Sequence, residues 1–230
     1  MHLKRIRAPK FWKISRKERK WTIAPRPGPH KKFECIPLLI IVRDILHLAE
    51  TGKEAKSIIK KGEILVDGKP RKDFAYPVGL FDVIAIPKIK SFYRVVPTSY
   101  GLDLLKIDEK ESNLKICKIF NKTTVKKGKI QLNLNDGKNI LADGEFKTGG
   151  SVLIELPSLK IVEYIPMEKN FIGIVVKGKR SGMMGKIKKL VKGKFGQPAK
   201  VICTIGNEEV EILEKYLFVV GKEKPLITVS

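Results

Sequence analysis

PLLIIVRDILHLAETGKEAKSIIKKGEILVDGKPRKDFAYPVGLFDVIAI, residues 37–86, is the stretch on which the fold turns. It opens on proline, which suits a first helical turn because its missing N–H would be unpaired there anyway. Leu38, Ile41, Val42, Ile45, Leu46 and Ala49 recur at the i, i+3, i+4, i+7 spacing of an amphipathic helix. Thr51 and Glu54 form a T-x-x-E capping box opening a second helix. Ala55, Ile58 and Ile59 make its apolar face, and Gly62 is placed to end it. Lys53, Lys56 and Lys60 line the other face, a pattern that taken alone also fits a solvated surface. Ile64, Leu65 and Val66 lead into the hairpin dipeptide Asp67-Gly68 and then Lys69, Pro70, Arg71 and Lys72. Residues 77–86 read as a turn and a buried strand.

Outward from this core, the charge is unusual in amount and in placement. The chain has 230 residues and a formal net charge of +23. Residues 1–32 carry twelve Lys or Arg and one acid, Glu18; residues 169–207 carry ten Lys or Arg and no acid. A globular surface normally mixes signs, so such zones imply a polyanionic partner, and nucleic acid is the densest in a cell. A hydrophobic content of 43% is enough for packed cores. The longest apolar run, residues 36–42, is far short of the roughly 20 residues of a membrane span, and the basic N-terminus lacks the apolar segment of a secretory signal. Cys35, Cys117 and Cys203 are too widely spaced for a zinc motif or a disulfide framework and read as buried free thiols.

The first segment shows no lasting period, and Pro25, Pro27 and Pro29 break regular structure. Phe11, Trp12 and Trp21 among its cations read as an arm that is mobile in the free protein and orders on nucleic acid. The middle of the chain reads as strands, with Leu132 and Leu134 alternating with polar residues up to a second Asp-Gly turn, Asp136-Gly137. The last segment has glycines at 178, 182 and 185 between two apolar strands, with Lys177, Lys179, Arg180 and Lys186 around the turn. Glycine admits positive φ and close backbone approach. The run is not a Walker A loop, which needs G-x-x-x-x-G-K-[ST]. His2, His30 and His47 are scattered, and Asp103, Asp108 and Glu109 read as strand or turn residues, so no catalytic constellation is visible.

Two short helices, a basic hairpin, a glycine turn and an apolar strand resemble the alpha-L RNA-binding module. That resemblance implies a basic face for folded RNA made of Arg43, Lys53, Lys56, Lys60, Lys69 and Arg71. The glycine run resembles the KOW motif, which sits in a small SH3-like barrel; Met183 and Met184 stand where charged or small residues are more usual. Taken in order, the chain resembles the archaeal-type small-subunit ribosomal protein family S4e. The match rests on APRPGPHK (24–31), DGKPR (67–71), YPVG (76–79), KICKI (115–119), IQLNLNDGKNI (130–140), FKTG (146–149) and FVVGKEKPLI (218–227).

The expected fold is α+β in four parts: a basic arm (1–36), an alpha-L module (37–87), a central β-module (88–167) and a KOW barrel with its tail (168–230). The expected function is structural: stabilising rRNA in the cytoplasmic ribosome beside neighbouring small-subunit proteins. The alternative is an accessory factor of RNA modification or transcription elongation. No enzyme activity, cofactor, metal, membrane or small-molecule substrate is expected. In the arm, Lys4, Arg5, Arg7, Lys10, Lys13, Arg16, Lys20, Arg26 and Lys31 join the RNA-binding candidates. Glu208, Glu209, Glu211 and Glu214 are expected to point away from RNA.

Overall fold

The computed structural model describes residues 2–125, 128–206 and 208–229. It is β-rich with few helices, and none among the described residues is long and apolar enough to cross a membrane. The chain divides into two compact units, residues 1–96 with 100–113 and residues 97–99 with 114–230.

In the first unit the N-terminal segment is folded, which corrects the reading of a structureless arm. His2–Lys4 pairs antiparallel with Trp21–Ile23, and 3-10 turns occupy Arg5–Arg7 and Lys10–Trp12. Trp12 is wholly buried among Leu38, Ile40 and Ile59, and its indole Nε1 donates to Cys35 O at 2.8 Å. Burying a large ring outweighs the lack of local periodicity, which is why the prolines did not leave this segment loose.

The first expected helix is also corrected. An α-turn, Leu38–Ile40, runs into a π-helical turn, Ile41–Ile45, and His47 at φ 50° ends it. Leu46 N–H bonds Ile41 O at 2.8 Å, and Leu38 to Val42 are all buried. Leu39 and Ile40, off the spaced apolar positions, are buried with the rest, so the first turn is enclosed all round and only the second, with Arg43 and Asp44 half-buried, keeps a polar side. The N–H groups of Leu38 and Leu39 are satisfied from outside, by Tyr76 O and Phe74 O at 3.0 Å each.

The second helix, Gly52–Lys60, has both halves of its capping box: Glu54 N–H donates to Thr51 Oγ1 at 3.2 Å, and Thr51 N–H to Glu54 Oε2 at 3.4 Å. Hydrogen bonds from the Thr51 hydroxyl, then from the Thr51 and Glu50 amides, hold the Glu54 carboxyl below its ordinary pKa. Losing such a cap typically destabilises by about 1 kcal/mol.

A five-stranded sheet follows, in the order Lys69–Pro70, Leu65–Val66, Val83–Ile86, Ser91–Thr98, Gly101–Ile107. Asp67 (φ 52°) and Gly68 (φ 72°) form the tight turn expected of Asp-Gly. The last two strands fell in the expected central module, yet they complete this sheet. Arg94 on Ser91–Thr98 is fully buried; its guanidinium donates to Glu111 Oε2 at 2.9 Å and to Glu111 O at 3.0 Å. Burial lowers its pKa, and the Glu111 hydrogen bond and charge oppose that shift.

The second unit contains two five-stranded antiparallel sheets. One orders Asn139–Ala142, Ile130–Leu134, Leu114–Thr124, Ser151–Glu155 and Ile161–Ile165. At its hairpin, Asp136 is buried beside the ammonium groups of Lys115 (2.9 Å) and Lys138 (2.7 Å). Burial alone would raise the Asp136 pKa; the two cations outweigh it and hold the carboxyl well below the usual range. The other sheet orders Glu208–Leu213, Lys200–Ile205, Met184–Val191, Ile172–Val175 and Leu217–Gly221. Lys118 reaches it from the first, donating to Glu214 O at 2.6 Å and Leu217 O at 2.8 Å. Burial pulls the Lys118 pKa down to about 8, against a smaller opposing effect of the Glu214 charge.

Candidate nucleic-acid interface

The helix Gly52–Lys60 buries Ala55 and Ile59 and half-buries Ile58, so Lys53, Lys56 and Lys60 are turned to solvent. Beside it lies the loop 73–76, fixed by the helix-start amides of Leu38 and Leu39 and by Ala75 N–H on Asp73 Oδ1 at 3.0 Å. This loop presents two rings under three cations. Lys56 Nζ lies 4.8 Å and the Arg26 guanidinium 5.8 Å from the Phe74 centroid; the Arg71 guanidinium lies 4.4 Å from that of Tyr76. Lys69 is exposed on the hairpin. Among the described residues no acid pairs with Lys53, Lys56, Lys60, Lys69 or Arg71. Arg26 also meets Asp73 at 3.4 Å. The part played by Phe74 and Tyr76 was missed from the sequence, where they looked like loop residues; only the fold brings 26, 56 and 71 to them.

Two pieces of the sequence that lie far apart in the chain meet here through steric fit and a shared carboxylate. The His30 ring covers Gly79, where a Cβ would lie 2.2 Å from it. His30 Nε2 donates to Asp82 Oδ2 at 2.9 Å, which also accepts Gly79 N–H at 2.9 Å. The glycine-proline-histidine segment is thereby locked onto the Tyr76–Gly79 stretch.

Several expected contact residues are used internally. Arg5 is buried: it donates to Ser15 O and faces Asp44 at 3.9 Å and Glu18 at 3.7 Å. It is not a surface cation, a correction that follows from the folded N-terminal segment. Arg43 is half-buried and clamped onto Asp44 through Nε and Nη2, the latter at 2.8 Å. Lys13 pairs with Asp103 at 2.7 Å, and Arg16 donates to Ile6 O and Ala8 O. Lys4, Arg7, Lys10, Lys20 and Lys31 are exposed and have no acidic partner among the described residues.

In the second unit the glycine turn lies where expected. Ile172–Val175 and Met184–Val191 pair with Gly173 opposite Gly185, and Gly178 (φ 105°) and Gly182 (φ 87°) take left-handed conformations. Lys177, Lys179 and Lys186 are exposed, with Lys177 Nζ 5.7 Å from the Tyr216 centroid. Arg180, however, pairs with Glu208 at 2.8 Å, Lys188 with Glu209, and Lys200 with Glu211 at 3.0 Å. A zone without acids in sequence thus acquires three from the adjoining edge strand. Cys35, Cys117 and Cys203 are buried free thiols, as expected. Burial, then the charges of Asp82 and Glu34, pushes the Cys35 thiol up to about 12; burial pushes Cys203 up to about 11.

A basic, β-rich chain with a lysine-faced helix beside a tight hairpin defines the class: a multi-part protein carrying an S4-type module. Family models match as "S4 domain" over residues 37–84, "RS4NT (NUC023) domain" over 1–33 and "Ribosomal family S4e" over 89–161. The small ribosomal subunit protein eS4 of Methanothermobacter thermautotrophicus is 46% identical over 99% of this chain and 95% of its own. That of Archaeoglobus fulgidus is 46% identical over 99% and 97%. A crystal structure of the 30S ribosomal protein S4e from Thermoplasma acidophilum superposes with a TM-score of 0.71 at 29% identity, covering 82% of this chain and 96% of that one. The chain belongs to the ribosomal protein family S4e. The expected resemblance is borne out, and the accessory-factor alternative finds no support in these relatives, which are named as ribosomal proteins.

Proposed function

We propose that this chain is a structural, non-enzymatic constituent of the small ribosomal subunit in the cytoplasm, binding and stabilising folded rRNA beside neighbouring small-subunit proteins. The observation that carries this reading is the cation face of Lys53, Lys56, Lys60, Lys69 and Arg71, without an acidic partner among the described residues, in which Lys56 lies over Phe74 and Arg71 over Tyr76. Ammonium and guanidinium groups without protein counterions are free to replace the condensed ions of the phosphate backbone, and ion release then drives binding. Lys4, Arg7, Lys10, Lys20, Arg26 and Lys31 extend the contact from the N-terminal segment, with Lys177, Lys179 and Lys186 supplying a second one.

The division into arm (1–36), alpha-L module (37–87), central β-module (88–167) and KOW barrel (168–230) is part of this proposal as a division along the sequence, in which the first two strands of the central part, Ser91–Thr98 and Gly101–Ile107, extend the sheet of the alpha-L module. The barrel reading is supported by five antiparallel strands whose last, Leu217–Gly221, returns beside the first, Ile172–Val175, with the glycine turn between the first two.

Filter binding to small-subunit rRNA across a salt series tests the function. The wild-type slope of log affinity against log salt should be steep. The variant Lys53→Glu/Lys56→Glu/Lys60→Glu should lose about 2–3 units of that slope, at about 0.7–0.9 per phosphate contact, with its circular dichroism unchanged. An unaltered slope in the folded variant would remove this face from the interface.

A further inference from the structure

The hairpin between Met184–Val191 and Lys200–Ile205 carries a feature that local structure does not explain. Its tip is closed by Lys194 and Gln197, with Lys194 N–H on Gln197 O at 3.1 Å and Gln197 N–H on Lys194 O at 2.8 Å. Phe195 and Gly196 form the two-residue end, Gly196 at φ 78°. Phe195 is fully exposed, at 108% of its reference area. A turn at this position is served by Ser, Asn or Asp, each of which can hydrogen-bond its own backbone. A phenyl ring there is covered by none of the described residues and gains only if a partner covers it.

The surroundings of the ring say what covers it. Lys192 and Lys194 flank it, both exposed and both without an acidic partner among the described residues. The acid closest to the tip is Glu214, whose N–H bonds Ala199 O at 3.1 Å and whose carboxylate lies against Gly149; Glu208, Glu209 and Glu211 lie further along the edge strand, engaged by Arg180, Lys188 and Lys200. The tip is also narrow: a Cβ on Gly193 would lie 2.9 Å from Gln197 O, which holds the two strands in close approach. A flat aromatic face between two cations, on a thin projection, matches an unpaired nucleobase with its flanking phosphates. A protein pocket for the ring would need an apolar floor and two acids at set places on its rim, whereas a single nucleotide step supplies the flat face and both charges.

We propose that Phe195 stacks on an unpaired base of rRNA while Lys192 and Lys194 hold the adjoining phosphates. This inference rests on the rRNA-binding reading above and adds a specific contact to it.

The test uses the full chain and small-subunit rRNA in filter binding over a salt series, with four variants. Phe195→Ala should weaken binding about five- to hundredfold, the range for losing one stacked base, and leave the salt slope unchanged. Phe195→Leu, which keeps apolar bulk but has no π-face, should lose nearly as much, and Phe195→Trp should bind at least as well as wild type. Lys192→Ala/Lys194→Ala should instead lower the slope by about 1–2 units. Because the ring makes no core contact, all four should melt with the wild type. Equal rRNA affinity in wild type and Phe195→Ala overturns the stacking contact and leaves the proposed function standing. Wild-type affinity in Phe195→Leu overturns it as well, since plain apolar burial would then suffice. If Phe195→Ala binds rRNA normally but no longer co-sediments with native small subunits, the tip docks on a protein and the inference is wrong. Absence of rRNA binding by the wild type itself would sink the proposed function, and this contact with it.

Discussion

The helix face at residues 53–60 and the sheet at residues 172–221 are both rich in lysine, and both stand next to glycine turns, yet they treat their charge differently. On the helix face the cations meet aromatic rings and solvent. In the sheet, Arg180, Lys188 and Lys200 each meet a glutamate of the edge strand Glu208–Leu213. Charge segregated along a chain is therefore not charge segregated in space. A helix presents residues from one short segment, so its sequence pattern survives folding. A meander lays residues 180–200 beside residues 208–211, and their charges combine. The two regions also rest on different anchors: a buried indole, Trp12, in the first unit and a buried ammonium, Lys118, in the second.

The largest effect should come from the indole. Trp12→Ala opens a cavity in the core of the first unit and removes the hydrogen bond to Cys35 O, and should destabilise that unit by about 3–5 kcal/mol. Chemical denaturation followed by circular dichroism measures it. Limited proteolysis supplies a second reading: residues 2–12 should resist trypsin in the wild type and be cut in the variant. Rapid cleavage at Lys4 and Lys10 of the wild type would restore the picture of a loose arm.

The ammonium anchor predicts a pH effect of opposite character. Lys118 has a native pKa of about 8, below the ordinary lysine value. From pH 8 to about 10.4 the unfolded chain binds the extra proton, so the native state gains stability as pH rises; below pH 8 both states are protonated and the contribution is flat. The stability of wild type minus Lys118→Met should thus rise by on the order of 2 kcal/mol between pH 8 and 10, and stay level from pH 5 to 7. A flat difference over the whole range would show that Lys118 is not desolvated.

The smallest effect bears on the comparison most directly. Glu208→Gln/Glu209→Gln/Glu211→Gln frees three cations, and should steepen the salt slope of rRNA binding by up to about 2–3 units. Stability should change little, since exposed pairs are worth about 0–1 kcal/mol each. An unchanged slope would mean that this face of the sheet does not meet RNA, in line with the expectation that the acidic strand points away from it.

Much of this was legible in residues 37–86. The capping box, the Asp67-Gly68 turn and the lysine face depend on neighbours a few positions apart, and local spacing fixes them. The glycine turn at 178–185 was readable for the same reason. Trp12 was not: its partner Cys35 lies 23 residues on, and nothing near it marks it as core. The first helix was half-read, since 3.6-residue spacing shows neither that its first turn is enclosed on all sides nor that its second is π-helical. For strands Ser91–Thr98 and Gly101–Ile107 only the strand type was legible, because a strand's sequence does not name its partner.

The amino-acid sequence by itself determined the class of partner, the family and the local devices, because net charge, caps and turns are properties of composition and short spacing. Tertiary structure alone decided which cations remain available. Arg5 and Arg43 disappear into Asp44, Arg180 into Glu208, while Lys53, Lys56 and Lys60 stay free. The physical reason is range: a hydrogen-bonded ion pair needs contact within a few ångströms, and contact between residues distant in the chain is set only when the chain folds.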